Sequence, residues 1–240
     1  PMRQTMPVRL GAAEETLITQ LKSRGADQAA ERIAVAGLPT RRVESYHYTD
    51  LKTLLRAVPP LAAPANQVDV PALSVAGAYN LTLVNGVAQQ QGTPPAGVVL
   101  NTVNGGILST RDDVIVHLNN GLVGESLSLT VEGQVEQIIQ IARRIEGEAA
   151  HVADALKVFV ADGATATIVE TFTGSDAAHV GNHASYIALG KNARLTHVTI
   201  DLSPRAASHF ATNEYHLTDG ARLRTLVIHA GAGLARTQLF

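Results

Sequence analysis

One turn motif recurs in the second half of the sequence at intervals of 28 to 30 residues, and this repeat restricts the possible folds more than any other feature. Each copy places Gly or Asn at its corner, and both residue types tolerate the left-handed backbone conformation that such turns need. An apolar, strand-like segment follows the corner. The four corners are Gly133, Gly163, Asn192 and Gly220.

A repeat of this length predicts a β-solenoid. Strands that return to the same phase without an intervening helix can bury an apolar face only by stacking on their neighbours. The unit is too long for a hexapeptide β-helix and too short for a propeller blade of about 40 residues. A sandwich of meandering hairpins is the structural alternative.

Aligning the copies also predicts which side chains point into the solenoid. We expect three largely apolar columns inside and two polar columns in water. The apolar columns are Ala166/Leu195/Leu223, Val169/Val198/Leu226 and Thr171/Ile200/Ile228, and the polar columns are Thr165/Arg194/Arg222 and Thr167/Thr196/Arg224.

The first 67 residues follow a different pattern. Apolar residues at helical spacing predict a hairpin of two helices, over residues 13–24 and 27–37, and a short third helix over residues 49–57. A proline-rich linker with Pro59, Pro60, Pro64 and Pro71 follows. We therefore predict a helical domain with its linker at residues 1–67 and a β-helix domain at residues 68–240.

Composition limits the possible partners and chemistry. The net charge is -2 and only 17% of residues are charged, so no basic field is expected to attract nucleic acid or an anionic membrane. The sequence contains no cysteine, which leaves no thiolate for a metal or cluster site. No apolar run resembles a signal peptide or a membrane span, so we expect a cytoplasmic protein.

Histidine is the residue type most open to a functional reading. Either these side chains are solvated or hydrogen-bonded strand residues, or one of them makes a weak metal or cluster-transfer contact. We expect His197 to point outward beside the neighbouring coils. Arg143 and Arg144 form either a basic spot for a partner or, by default, a solvated strand end. The six histidines of the second half are His179, His183, His197, His209, His216 and His229.

Two further motifs have simple structural interpretations. Asp112 and Asp113 are candidates for the paired acids of glycoside chemistry, but neighbouring strand residues face opposite ways. We therefore expect a turn before a strand over residues 114–118. The Gly231-Ala232-Gly233 motif is expected to form a coil corner, since no Lys-Ser/Thr helix follows it as in a phosphate loop.

The sequence Gly-Leu-Pro-Thr-Arg-Arg-Val-Glu-Ser-Tyr-His-Tyr-Thr-Asp-Leu at residues 37–51 resembles the N-terminal signature of the SufD family. Four later segments resemble successive β-helix segments of the same family in the expected order: residues 83–86, 129–133, 161–170 and 231–236. The resemblance thus covers most of the chain. Tyr46 and Tyr48 of the signature are expected to clamp the helical hairpin onto the solenoid, and the alternative for these residues and for Arg41 and Arg42 is a contact with a partner.

The resemblance implies a right-handed parallel β-helix behind an N-terminal helical domain. It also implies a non-catalytic scaffold that acts with a SufB-like paralogue and a SufC-like ATPase, in a complex that assembles iron-sulfur clusters. Family members continue beyond the point equivalent to Phe240, into further coils and a helical domain that docks the ATPase. No catalytic, cofactor-binding or metal-binding residue of the family therefore maps onto this sequence, and we expect no cofactor on this chain alone.

Two other functions remain open on sequence grounds. One is a self-assembling cytoplasmic β-solenoid, and the other is a polysaccharide-active β-helix enzyme. Residues 238–240 read as a strand, so we also expect exposed backbone at the last coil, self-association through that edge and a possible homodimer.

Overall fold

The computed structural model describes residues 7–63, 73–89 and 92–240. Helices dominate its beginning and strands dominate the rest. The helices are α1 (Ala12–Ser23), α2 (Asp27–Ala36), α3 (Leu51–Leu54) and α4 (Val114–Leu122), with a 3-10 turn at Glu44–Tyr46. The strands are β1 (Tyr79–Val84), β2 (Val87–Ala88), β3 (Val98–Asn104), β4 (Glu125–Val131), β5 (Ile139–Ile145), β6 (His151–Val160), β7 (Thr165–Gly174), β8 (Val180–Leu189), β9 (Arg194–Asp201), β10 (Ser208–Leu217), β11 (Arg222–His229) and β12 (Leu234–Leu239).

The strands alternate between two six-stranded sheets. One sheet has the order β11-β9-β7-β5-β1-β2 and the other the order β12-β10-β8-β6-β4-β3. All neighbours pair in parallel except β1 with β2 and β3 with β4, which close the sheets with antiparallel pairs. Successive strands thus form about four turns of a β-solenoid, and the predicted fold class is confirmed.

The repeated turn motif adopts the predicted backbone. Gly133, Gly163 and Gly220 have φ of +68°, +69° and +70°, and Asn192 has φ of +57°. These values lie in the left-handed region, which asparagine enters more easily than most residues with a side chain. The repeat is therefore a row of four similar corners, which separate β4 from β5, β6 from β7, β8 from β9 and β10 from β11.

The predicted interior columns are only partly correct. Ala166 and Ile168 belong to the apolar core, and alternation along the strand places Glu170 inside as well. Val169 and Thr171 therefore point outward, so two of the three predicted apolar columns were assigned to the wrong face. The outer column is exposed at the last coil, where Leu226 keeps 54% of its surface in water.

The solenoid core is apolar near the turns and changes character further along the strands. Ile139, Ile168 and Leu195 lie in successive coils of one sheet, opposite Val158 and Ile187 of the other. All five side chains are buried. This apolar part supplies the burial that stacking of coils provides.

The N-terminal helices cover the outer face of the sheet that contains β6, β8 and β10. Leu17 and Ile33 of the helical hairpin and Ile115 and Leu118 of α4 form one buried cluster with Phe210 of β10. The hairpin matches the prediction within two residues at each end. The third helix is shorter than predicted, since α3 includes only four residues and a 3-10 turn precedes it.

The strand predicted over residues 114–118 was wrong, because this segment begins helix α4. The Asp113 carboxylate accepts a hydrogen bond from the Val116 N–H at 3.0 Å and caps the helix. Ile115, Leu118 and Leu122 then share one buried face. Tertiary burial of that face overrides the strand preference of the β-branched residues.

Two sequence-based predictions stay predictions: the domain boundary and self-association through the last coil. The proposed boundary between residues 67 and 68, with Pro64 and Pro71, lies outside the described residues, and the two-domain division stays a prediction. Strands β11 and β12 each end a sheet and have no outer neighbour within the described part of the chain. Self-association through this edge also stays a prediction.

Candidate functional site

A buried arginine lies inside the solenoid, between the two sheets. Arg143 of β5 has 0% of its side chain exposed. Its Nη1 donates to Asp154 Oδ1 of β6 and its Nη2 donates to Glu170 Oε1 of β7, each at 2.6 Å. One guanidinium thus joins three consecutive strands through two charge-assisted hydrogen bonds.

Further polar side chains extend this group through the interior. His183 Nδ1 lies 2.7 Å from Asp154 Oδ1, and His197 Nε2 lies 2.6 Å from Glu170 Oε2. Since an ionised carboxylate can only accept hydrogen bonds, the facing ring nitrogens carry protons. On its other side, His197 Nδ1 contacts the Tyr215 hydroxyl at 2.7 Å.

Ser185 completes the group, since its hydroxyl donates to Glu170 Oε2 at 2.9 Å and accepts from Arg143 Nη2 at 3.0 Å. We call this group the polar core. It consists of Arg143, Asp154, Glu170, His183, Ser185, His197 and Tyr215.

The electrostatics of the polar core favour ionised acids. Burial alone would raise the pKa of Asp154 and Glu170, but the neighbouring positive groups outweigh it and hold each pKa at about 2. His183 and Arg143 act on Asp154, and Arg143 and His197 act on Glu170. The pKa of Arg143 is raised in turn: burial lowers it, but the two carboxylates outweigh that effect.

The polar core holds charge inside the solenoid and exposes none of it to solvent. Its residues form one connected chain of hydrogen bonds, which fixes the relative register of β5, β6, β7, β8, β9 and β10. Every charged member of this network has an oppositely charged or hydrogen-bonded neighbour, although Arg143 Nε has no partner among the described residues. A buried network of this kind favours one arrangement, because a shifted register would leave an ion without its partner in a low dielectric.

A second polar cluster lies beside the polar core, toward the last coils. Asp201 of β9, His229 of β11 and His209 of β10 place one ligand atom each within 4.8 Å of the others. Asp201 and His229 are directly paired residues of neighbouring parallel strands. We call these three residues the histidine–aspartate cluster.

The titration of the histidine–aspartate cluster follows from burial and local hydrogen bonds. Burial lowers the pKa of His209 to about 3, with a further contribution from nearby His183, so its imidazole is neutral at pH 7. Burial raises the pKa of Asp201, but His209 and a hydrogen bond from the Ser203 N–H at 2.9 Å offset this, and the net direction is downward.

The predicted behaviour of the six histidines was partly correct. His183, His197, His216 and His229 are hydrogen-bonded strand residues, as predicted. The outward orientation predicted for His197 was wrong, because its side chain is fully buried and points inward. His179 is also buried: its Nδ1 accepts from the Ala150 N–H at 3.2 Å.

The solvated strand end predicted at Arg143 and Arg144 was also wrong. Arg143 is at the centre of the polar core, while Arg144 forms a 2.6 Å ion pair with Glu146 and keeps only 13% of its side chain exposed. Neighbouring residues of a strand face opposite sides, so two adjacent arginines have different environments.

Asp112 and Asp113 do not act as a pair. Asp112 is 99% exposed and forms a 3.2 Å ion pair with Arg32, while Asp113 caps α4 and accepts a hydrogen bond from the Tyr46 hydroxyl at 2.8 Å. Both line a cavity of about 510 Å³ between α2, the segment after it and α4. The cavity wall is mostly apolar.

The tyrosine clamp predicted from the signature involves one of its two residues. Tyr46 is buried, and the Arg236 guanidinium of β12 lies 4.1 Å above its ring centroid. Arg236 also donates to the Ser45 carbonyl at 2.7 Å. Tyr48 is 96% exposed and clamps nothing. The coil corner predicted at residues 231–233 is confirmed between β11 and β12, with Ala232 at φ of +59°.

Sequence reasoning missed the acidic members of both clusters. Glu170 and Asp201 occupy inward positions of β7 and β9, where a strictly alternating pattern continued from Ala166 and Leu195 would have placed them. A charged residue at a predicted core position was therefore the available signal.

None of the helices in the described part of the chain has both the length and the apolarity needed to cross a lipid bilayer. Comparisons with known proteins agree with the observed architecture. Residues 143–240 match the family model described as SUF system FeS cluster assembly, SufBD core domain. The matched region begins at Arg143 and includes every residue of the polar core and of the histidine–aspartate cluster.

One curated relative is the iron-sulfur cluster assembly protein SufD of Escherichia coli (strain K12). It is 27% identical over 217 residues, which cover 83% of this chain and 51% of the relative. The chain thus spans about half the length of the relative that it matches. The chain is therefore similar to SufD, and its residues 143–240 resemble the SufBD core domain.

Proposed function

We propose that this chain forms part of a non-catalytic scaffold for iron-sulfur cluster assembly, which acts with a SufB-like subunit and a SufC-like ATPase. The observation that carries the proposal is the position of the SufBD core match, which coincides with the coils that contain the polar core. In this proposal, the charged network keeps those coils in one register while a partner surface is presented.

The proposal assigns the cluster ligands to residues outside this sequence. Iron-sulfur clusters are usually held by several cysteine thiolates, and residues 1–240 include no cysteine. We expect the partner subunits to supply thiolates and ATP turnover, so the purified chain alone should not retain a cluster after incubation with iron and sulfide. The cytoplasmic location expected from the sequence stays a prediction.

The proposal is tested by complementation in Escherichia coli that lacks its own SufD. The complete gene product that includes this chain is expressed there with its cognate SufB-like and SufC-like subunits. We expect copurification of the three proteins and recovery of iron-sulfur enzyme activity under iron limitation. Arg143→Leu should abolish recovery, whereas Tyr48→Phe, at a fully exposed position, should not change it. Failure of the wild-type product both to copurify and to restore activity contradicts the proposal.

A self-assembling solenoid is the second candidate, and the edge of the last coil favours it. Leu226, Ile228 and Leu239 there are 54%, 38% and 51% exposed, beside strands without an outer neighbour in the described chain. This candidate predicts concentration-dependent filaments, measured by light scattering. A polysaccharide-active enzyme lacks comparable support, because Asp112 and Asp113 have separate structural contacts.

A further inference from the structure

The histidine–aspartate cluster has unused ligand atoms at a buried position. His209 is 2% exposed and its Nδ1 has no hydrogen-bond partner among the described residues. Asp201 is 1% exposed, and its Oδ2 likewise lacks a partner in the part of the chain that the structure describes. Buried polar atoms without partners are rare and costly, so a pair of them at one place requires an explanation.

We propose that Asp201, His209 and His229 bind one divalent transition-metal ion. The set offers two imidazole nitrogens and one carboxylate oxygen, a combination that suits zinc or ferrous iron. This inference goes beyond the proposed scaffold function and rests on geometry alone. It also revises the sequence-based expectation that no residue of this chain is a metal ligand.

The distances are close to those of a formed site. His229 Nδ1 lies 3.5 Å from Asp201 Oδ2, and His209 Nδ1 lies 3.9 Å from Asp201 Oδ1. Metal–ligand bonds of about 2.1 Å in tetrahedral geometry place ligand atoms about 3.4 Å apart. All three ligand atoms lie within 4.8 Å of one another, so binding requires each separation to shorten by about 1.4 Å or less. Water or a partner group can supply the remaining ligand.

Neighbouring groups orient each ligand. The Ser203 N–H holds Asp201 Oδ1, which leaves Oδ2 directed at His229. The Thr237 hydroxyl contacts His229 Nε2 at 3.2 Å and so leaves Nδ1 for the metal. Such outer contacts fix the tautomer and direction of metal ligands.

Charge and access also favour a cation at this place. The cluster offers a carboxylate from Asp201 and, from His209, an imidazole nitrogen without a hydrogen-bond partner among the described residues. His183 lies beside His209, with ring centroids 5.3 Å apart, but it is engaged by Asp154. The His229 side chain is 34% exposed and gives an ion a path from solvent.

The experiment measures binding of zinc, and of ferrous iron under anaerobic conditions, by equilibrium dialysis of the purified chain. We expect saturation at one ion per chain, and at least tenfold weaker binding in both Asp201→Asn and His229→Ala. The matched control is His216→Ala, which removes a half-exposed histidine that pairs with Glu214 outside the cluster. It should bind like the wild type. The absorption spectrum of bound cobalt(II) should also change in His229→Ala and not in His216→Ala.

Binding that is absent from the wild type, or equally tight in His229→Ala, overturns the proposal. Circular dichroism checks that each variant is folded. If Asp201→Asn does not fold, His229→Ala decides the question, because its side chain is partly exposed and belongs to the last coil. The dialysis needs no partner subunit, so its result is separate from the outcome of the complementation experiment.

Discussion

Replacing Arg143 with leucine should destabilise the fold strongly, because it removes the cation that compensates two buried acids. In the native protein, Asp154 and Glu170 are fully buried and each contacts the guanidinium at 2.6 Å. Leucine fills much of the same volume without any charge. The variant therefore retains the apolar packing and leaves two buried carboxylates without the guanidinium that joins them.

The depressed pKa values of the two acids set the magnitude. The pKa of Glu170 falls from 4.5 to about 2, and that of Asp154 falls from 3.8 to about 2. At about 1.4 kcal/mol per pKa unit, these changes correspond to about 3 and about 2 kcal/mol of stabilisation of the ionised forms. Breaking a buried ion pair on one side typically costs about 3 to 5 kcal/mol. We expect a loss of about 4 kcal/mol in the free energy of unfolding at pH 7.

The pH dependence provides a sharper test than the magnitude. A carboxyl with a folded pKa below its unfolded value stabilises the protein above about pH 4.5, and this contribution is lost as the pH falls toward 2. Without Arg143, burial is opposed only by the histidine and serine contacts, so the folded pKa values of both acids should rise. The variant should therefore gain less stability than the wild type as the two acids ionise, and its deficit should be larger at pH 7 than at pH 4.

Urea unfolding followed by circular dichroism between pH 4 and pH 8 measures both effects. Arg144→Leu is the matched control, since it removes the neighbouring arginine, whose ion-pair partner Glu146 keeps 25% of its side chain exposed, and its loss should be smaller than that of Arg143→Leu. The triple variant with Asp154→Asn and Glu170→Gln should recover part of the loss. A deficit below about 1 kcal/mol for Arg143→Leu, with no change in pH slope, refutes the account of the polar core.

Three smaller perturbations test other parts of the structure by urea unfolding. Tyr46→Phe should lower the free energy of unfolding by about 2 kcal/mol, because the Tyr46 hydroxyl donates to a carboxylate. Tyr48→Phe should change it by about 0.5 kcal/mol or less. Equal effects of the two variants would contradict the tyrosine clamp. Gly133→Ala should lower the free energy of unfolding by about 1 to 2 kcal/mol, because alanine disfavours the positive φ at this position. Gly97→Ala should lower it further, because the new Cβ would lie 2.3 Å from a backbone carbonyl oxygen. Burial lowers the pKa of His151 to about 4, so wild-type stability should fall as the pH drops from 6.5 toward 4. His151→Leu should flatten that slope by about 1.4 kcal/mol per pH unit. An unchanged slope would show that folding does not shift the pKa of His151.

The solenoid could be predicted from sequence because its corners are local. Gly133, Gly163 and Gly220 mark positions where a single residue must adopt a left-handed conformation, and that requirement is visible without any knowledge of neighbours. Their spacing then fixes the length of a coil. The helical hairpin was predictable for a similar reason, since its apolar residues follow a 3.6-residue period.

The polar core could not be predicted, because its partners come from separate coils. Arg143, Asp154 and Glu170 are 11 and 16 residues apart along the chain, and each alone reads as a surface charge. Only stacking in register places them together. The repeat columns were assigned to the interior by their apolarity, and this criterion chose the wrong face of β7. Val169 is apolar but points outward, whereas the charged Glu170 points inward.

Helix α4 shows the same limit in another form. Its first residues, Val114, Ile115 and Val116, favour strands by intrinsic preference, and the deciding contacts are with β6 and β8. The Asn119 side-chain amide donates to the Asp154 and Asn182 carbonyls at 3.1 and 2.9 Å. No sequence window of helical length includes those partners.

The helical cover has a consequence for how the molecule unfolds. In a bare solenoid each coil touches only the next, so coils can melt one after another from an end. Here the cover reaches across the stack: Gln20 contacts His151 of β6 at 2.6 Å, and Ser45 accepts from Arg236 of β12. Coils that share no direct contact are therefore linked through the N-terminal helical segment. Hydrogen exchange should accordingly find β6 and β12 opening in one cooperative event, in place of progressive fraying.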